Sequence, residues 1–293
     1  MNHRPRGILL VLAATLCWST EGLWVRLVRA DDWQILFWSG ALMALALGIW
    51  LGFAHRGRLM RAVLDTGRPG LVAAASLALA YSGYIFALNR TTVANTYVLL
   101  ATAPLFAALL GRVFLGERVR RRTLVAMLLA FGGVATMVSD SLVGGRLWGD
   151  LIALSTGLFF AVNIVALRSA PRRDGRPVDM MPSNAMAGIV IAIVMTAITD
   201  PFAVREQDIP YLMLIGLLSM GLGTWLFTRG VRFVQAAEAG LLCLTEAVLG
   251  PFLVWAVLSE MPTPQALLGA AIVLAALVYD TLPERRARGM AGR

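Results

Sequence analysis

The chain has 293 residues, 58% of them hydrophobic and 15% charged, with a formal net charge of +9 and a mean hydropathy of +0.74. A soluble domain carries about 25% charged residues, so this composition excludes an ordinary soluble enzyme and points to an integral membrane protein. Every basic residue except two histidines is arginine. The missing lysine excludes a Walker-type phosphate loop and a Schiff-base mechanism, so an ATP-driven pump would need a separate subunit.

Apolar spans are predicted at 7–28, 34–53, 70–88, 95–115, 123–139, 149–168, 179–199, 209–228, 237–258 and 266–282. At about 20 residues per crossing, they are expected to leave only short loops and no room for a large soluble domain. The first span follows Arg4 and Arg6 but runs on past the apolar core of a signal peptide, and Trp18–Gly22 makes a poor cleavage site. With the N-terminus inside and the spans alternating, 21 arginines fall in inner segments. Five, Arg26, Arg29, Arg90, Arg146 and Arg205, fall outside. That asymmetry places both termini in the cytoplasm of an inner-membrane protein and makes the positive charge a matter of orientation, not of nucleic-acid binding. Cys17 and Cys243 lie within apolar spans and read as small buried hydrophobes; His3 and His55 stand alone, and no metal-ligand spacing occurs. No cofactor is expected.

The spans repeat. Val93–Glu117 lies on Ala236–Glu260 at a constant offset of 143, with identities at Ala94/Ala237, Leu99/Leu242, Thr102/Thr245, Leu110/Leu253, Leu115/Leu258 and Glu117/Glu260. Alanine and leucine matches are cheap in apolar segments, whereas the Thr and Glu matches are not supplied by composition. The first span lies on the sixth at offset 142, with Trp18 opposite Phe160, Glu21 opposite Asn163 and Arg26 opposite Arg168. Two units follow, 1–140 and 141–293, each of five spans. An odd number sends the second unit into the membrane from the opposite side. The expected fold is therefore all-α, ten transmembrane helices in a 5+5 inverted-topology repeat around a central cavity.

Several local patterns fit one known family. The ten-span plan, the Trp18–Ser19 pair, Ala103–Pro104, Leu115–Gly116–Glu117 and Thr245–Glu246–Ala247 with Pro251 resemble the EamA-type transporters of the drug/metabolite transporter superfamily. Within it, the chain is most similar to the YddG-type exporters of aromatic amino acids. It departs from the family in carrying Ala247 where a proline usually follows the glutamate. The resemblance implies a central cavity lined by spans 1, 3, 4, 6, 8 and 9, and export from the cytoplasm by alternating access.

Polar and aromatic residues concentrate in those six spans. Candidate solute-binding residues are Trp18, Ser19, Glu21, Tyr81, Tyr84, Tyr97, Thr102, Phe160, Asn163, Trp225, Thr245 and Glu246, with Pro104 and Pro251 as candidate kinks. Aromatic faces suit a flat, partly apolar solute and attract cations, while hydroxyls and an amide would fix its polar end. Set against this, Ser and Thr within helices often bond their own backbone, and Trp and Tyr often anchor at the interface. Glu21 and Glu246 are the sharper cases, because a carboxylate at membrane depth costs roughly 2.5–3.5 kcal/mol on insertion scales. No arginine lies at matching depth in another span, so proton coupling through either carboxylate enters as a hypothesis. Glu238 is expected to sit at a helix N-terminus, where the dipole favours it.

The expected function is export of a small solute, an aromatic or other apolar amino acid, with the lipid bilayer as the other partner and no nucleic acid. The alternative is export of flat cationic compounds. An intramembrane enzyme is a second alternative from another class, but HExxH, GxSxG and a pair of intramembrane aspartates are all missing.

Overall fold

The computed structural model describes residues 3–56, 58–90, 96, 99–100, 102–138, 147–170, 172–173, 176–258 and 264–281. Helix α1 (Arg4–Ser19) and helix α2 (Glu21–Leu27) form one membrane-length stretch interrupted at Thr20. Helix α3 (Asp32–His55) opens on a capping box, in which the Asp31 carboxylate accepts from Gln34 N and the Gln34 side chain accepts from Asp31 N. A short helix, α4 (Leu59–Asp65), leads into α5 (Gly67–Arg90). Next come α6 (Ala103–Leu115), α7 (Arg121–Val138) and α8 (Leu147–Arg168). A ribbon of β1 (Arg172–Arg173) and β2 (Arg176–Pro177) is the only sheet among the described residues; the rest of the regular structure is helical. Helix α9 (Met181–Thr196) follows. The stretch after it comprises the 3-10 turn Glu206–Asp208, α10 (Ile209–Met213), a π-helical segment Leu214–Gly223 and α11 (Thr224–Val231). Last are α12 (Ala236–Cys243) and α13 (Thr245–Leu258), broken at Leu244, and α14 (Pro264–Thr281).

Six described stretches are long and apolar enough to cross a bilayer: Arg4–Leu27, Asp32–His55, Gly67–Ala87, Leu151–Arg168, Glu206–Val231 and Ala236–Val257. Ala103–Leu115, Met181–Thr196 and Leu267–Asp280 are shorter apolar helices. The outer surface is apolar in keeping with a lipid surround: Phe53, Trp148, Phe114 and Ile193 are all largely exposed.

Five helix pairs join the front of the chain to its back, and each runs antiparallel. Gly7 of α1 meets Gly230 of α11, while Trp18 at the far end of α1 meets Gly223. Gly40 of α3 faces Gly188 of α9, and Trp38 donates to Pro201 O beyond the end of α9. In α5, Ala73 O accepts from Asn163 of α8 and Gly83 packs on Thr156. Gly133 of α7 touches Gly269 of α14, while Thr123 bonds Asp280. Pro104 and Gly111 of α6 meet Gly240 and Ala236 of α12, in that order. Without a hydrophobic drive between helices in lipid, close backbone approach at small residues supplies the packing. A Cβ on Gly188 would lie 2.5 Å from Gly40 O, which shows how near the two backbones come.

The start of α1 and the end of α14 lie at the same end of the bundle, and that end is latched. Gly116 ends α6 in the left-handed region at φ 65°, where a side chain would be strained. That turn delivers Glu117 inward, where one carboxylate oxygen pairs with Arg168 at the end of α8 and the other accepts from Ala236 N at the start of α12 at 3.0 Å. Arg168 also donates to Val231 O at 2.8 Å. Arg4 pairs with Glu238 at 2.6 Å, and Arg232 approaches Asp179 at 3.7 Å. Glu238 indeed lies in the first turn of α12.

Candidate functional site

Helix breaks mark the middle of the bundle, and each is satisfied locally. At Thr20, the Cys17 carbonyl accepts from Thr20 N, from Thr20 Oγ1 at 2.7 Å and from Ser219 Oγ of the π-helical segment at 3.1 Å. At Leu244, Thr245 Oγ1 donates to Leu242 O at 2.7 Å. The equivalent bond, Thr102 Oγ1 to Leu99 O at 2.5 Å, precedes α6. Freed carbonyls that would be costly in lipid thus have partners, and the chain can bend around a space.

That space is a cavity of about 570 Å³, its mouth included. Trp18 and Glu21 line it from α1 and α2; Leu77, Ala80, Tyr81 and Tyr84 from α5; and Leu100 from the segment before α6. Thr156 and Phe160 come from α8, Met220 and Thr224 from the π-helical segment and α11, and Glu246 from α13. A second pocket, about 410 Å³ with its mouth included and lined by Leu100, Phe160, Cys243 and Glu246 among others, adjoins it. The walls are mostly apolar and aromatic. Trp18 meets Phe160 edge to face at 5.9 Å between ring centroids and Phe227 at 5.1 Å, while Phe160 and Phe227 are 5.6 Å apart.

Polar groups are few. Tyr81 donates to Glu21 Oε1 at 2.6 Å, and both residues are buried. Among the described residues Glu246 makes no hydrogen bond, and the buried Thr224 Oγ1 and Trp18 Nε1 likewise have no partner. No arginine or histidine is among the described lining residues.

Of the residues singled out from sequence, the structure brings Trp18, Glu21, Tyr81, Tyr84, Phe160 and Glu246 to this cavity. Others sit elsewhere, for physical reasons. Ser19 Oγ donates to Thr15 O at 2.7 Å within its own helix. Asn163 is buried and ties α8 to α5 through Ala73 O at 2.8 Å. Thr102 and Thr245 hold the helix breaks just described. Trp225 faces away, stacked edge to face on Trp50, with the Arg229 guanidinium 5.2 Å from its ring. Tyr97 lies outside the described residues. Pro104 occupies the first turn of α6, where a missing N–H is harmless. Pro251, a candidate kink, lies inside α13, while the interruption of the span falls earlier, at Leu244. Its side chain is outside the described set.

Thr156, Met220 and Thr224 were missed. Met220, Thr224 and Phe227 share one face by their spacing of four and three, but an apolar run with one hydroxyl carries no signal until its register against Trp18 is known.

An all-helical bundle with an apolar exterior and a central cavity defines a multi-pass membrane protein of the transporter class. The EamA-like transporter family matches residues 5–139 and again 147–279, and the chain belongs to that family. It is similar to the uncharacterized transporter YwfM of Bacillus subtilis (strain 168), 25% identical over 289 residues that cover 95% of this chain and 94% of the relative. An uncharacterized transporter of Archaeoglobus fulgidus is 26% identical over 92% of this chain and 93% of its own length. Protein RarD of Salmonella typhi is 29% identical over 53% of this chain and 52% of its own length. A solved crystal structure overlays 98% of this chain and 100% of its own with a TM-score of 0.79 at 20% identity, a likeness of fold.

Proposed function

We propose that the chain is a secondary transporter that exports small solutes from the cytoplasm across the bacterial inner membrane by alternating access. The observation that carries this reading is the cavity, which draws its walls from six predicted spans, three in the front of the chain and three in the back. Two units, 1–140 and 141–293, each of five spans and inverted relative to each other, account for the five antiparallel helix pairs. The family matching twice along the chain supports the same division. In this arrangement the end holding Glu117, Arg168 and Arg4 is the cytoplasmic end, and its ion pairs must open for a solute to enter from inside.

Binding falls to the six residues brought together at the cavity. Trp18, Tyr81, Tyr84 and Phe160 supply faces for a flat solute, and Glu21 and Glu246 supply its polar contacts. The family resemblance favours an aromatic or other apolar amino acid. A second reading, a flat cationic compound, is favoured by the two carboxylates. A proton visiting Glu21 or Glu246 during the cycle would couple export to the pH gradient.

Counterflow tests the transport reading. Purified protein in liposomes preloaded with unlabelled solute should accumulate external labelled solute transiently, with no ATP present. Conversion of the solute without counterflow would instead indicate an intramembrane enzyme. Efflux that ignores an imposed pH gradient, together with normal transport by Glu21→Gln and Glu246→Gln, would remove proton coupling.

A further inference from the structure

Among the described lining residues of the cavity the charge-bearing groups are all of one sign. Glu21 and Glu246 line it, and no basic side chain among its described lining does. The two carboxylates are not equivalent. One oxygen of Glu21 is already taken by the Tyr81 hydroxyl at 2.6 Å, whereas Glu246 makes no hydrogen bond among the described residues. A second, independent observation points the same way. Thr224 lines the cavity and is 2% exposed, and its buried hydroxyl oxygen has no partner among the described residues. Buried polar groups are ordinarily paired, so an orphaned hydroxyl and an unpartnered carboxylate on the walls of one cavity leave a place for a donor.

We propose that the site takes a flat aromatic solute carrying one positive charge and no carboxylate, an arylalkylamine in chemical class, with its ammonium set between Glu246 and Thr224. This inference rests on the transport reading above and names the solute for the same cavity. An ammonium offers three N–H donors and no acceptor, which matches a carboxylate and a hydroxyl acceptor and wastes neither. Its ring lies against Trp18 and Phe160, where the edge-to-face pair presents aromatic surface, and the π faces add attraction for the charge. An amino acid zwitterion brings a carboxylate into a space that already holds two. Like charges at short range disfavour one another in a low-dielectric site. A carboxylate solute needs a cation or a cluster of N–H donors, and the described lining offers no cation and, besides the hydroxyls of Tyr81, Tyr84, Thr156 and Thr224, only the Trp18 indole.

Three probes with one ring and different charge test this: 2-phenylethylamine, phenylalanine and 3-phenylpropionate. Binding is measured by equilibrium dialysis of the purified full-length protein in detergent at neutral pH. The amine is expected to bind about tenfold or more tighter than phenylalanine, with 3-phenylpropionate weaker still. Glu246→Gln should weaken the amine about tenfold, and Thr224→Val should weaken it less, with the thermal melting point of both variants near that of the parent. If Glu246→Gln does not fold, the ranking of the three probes on the parent decides alone. Phenylalanine binding as well as the amine, binding of the amine unchanged in a folded Glu246→Gln protein, or binding of none of the three would each overturn the assignment. Counterflow of the same probes separates the two readings. Exchange of phenylalanine but not of the amine overturns the charge assignment and leaves transport standing. Tight binding of the amine with no counterflow of any probe leaves the charge assignment standing and removes transport.

Discussion

The Tyr81 hydroxyl donates a 2.6 Å hydrogen bond to Glu21 Oε1, joining α5 to the first residue of α2 beside the helix break at Thr20. Removing the donor leaves a buried carboxyl group short of a partner, which costs about 1–3 kcal/mol. Tyr81→Phe should therefore lower the melting point of the detergent-purified protein. Adding Glu21→Gln should change it further by less than the sum of the two single effects, because the residues share one interaction. Additive effects in that double-mutant cycle would mean that the bond contributes nothing to stability.

The latch around Glu117 should bias the equilibrium between conformations. Glu117 holds Arg168 and caps Ala236 N, so its loss frees the ends of α6, α8 and α12 together. In a background with Cys17 and Cys243 replaced, a single cysteine at the buried Ala237 reports opening through its alkylation rate. Glu117→Gln should raise that rate about tenfold, a shift of ~1.4 kcal/mol in the open population. Glu117→Asp, which keeps the charge, should raise it less. Equal rates in all three proteins would show that the ion pair does not hold this end shut.

Close packing gives a prediction of opposite sign at two glycines. A Cβ at Gly188 would meet Gly40 O at 2.5 Å and Ala44 N at 3.0 Å, backbone atoms that cannot step aside. Gly188→Ala should destabilise by about 1–3 kcal/mol through overpacking. Gly48 in α3 has nothing within 4 Å of its Cβ position, so Gly48→Ala should be neutral or stabilise by up to about 1 kcal/mol through helix propensity. Melting in one detergent measures both, and a reversed order would contradict the α3–α9 contact.

Rarity carries information in an apolar chain, and part of the fold was legible through it. Thr102, Thr245 and Glu117 stood out as matches that composition does not supply. The structure gives Thr102 and Thr245 the same backbone hydrogen bond at equivalent helix breaks, and makes Glu117 the centre of the latch. Glu260, its repeat mate, lies outside the described residues. What sequence could not resolve was where each polar side chain finds its partner. Ser19 and Asn163 looked like site residues, yet one bonds its own helix and the other its neighbour's backbone. Periodicity fixes a face, but not whether that face meets a cavity or a carbonyl. Trp225 drew attention through its size, while Thr224, one residue away and on another face, reached the cavity unannounced.

The proposed orientation rests on the arginine asymmetry and can be checked directly. In the cysteine-free background, single cysteines at the exposed Arg29 and Phe202 should react with a membrane-impermeant thiol reagent added to intact cells. A cysteine at the exposed Arg58 should react only after the cells are opened. Labelling of positions 29 and 58 from the same side would place both ends of α3 on one face of the membrane and end the spanning assignment of that helix.

Thr102 and Thr245 give the most direct test of the proposed two-fold plan. Each hydroxyl bonds the carbonyl three residues back, Leu99 O at 2.5 Å and Leu242 O at 2.7 Å, beside a helix interruption. Valine has nearly the same shape and lacks the hydroxyl, so Thr102→Val and Thr245→Val each leave one carbonyl without that donor, at a cost of about 0.5–1.5 kcal/mol. Neither side chain lines the cavity, so binding affinity should be nearly unchanged. The rate of counterflow should fall, because bends that the backbone no longer holds in place pass less cleanly between conformations. If the halves exchange roles during the cycle, one substitution should slow solute uptake from one side and the other should slow it from the opposite side, by similar factors. Uptake in oriented proteoliposomes reads this out, and two variants that slow the same direction alone would contradict an exchange of roles between the halves.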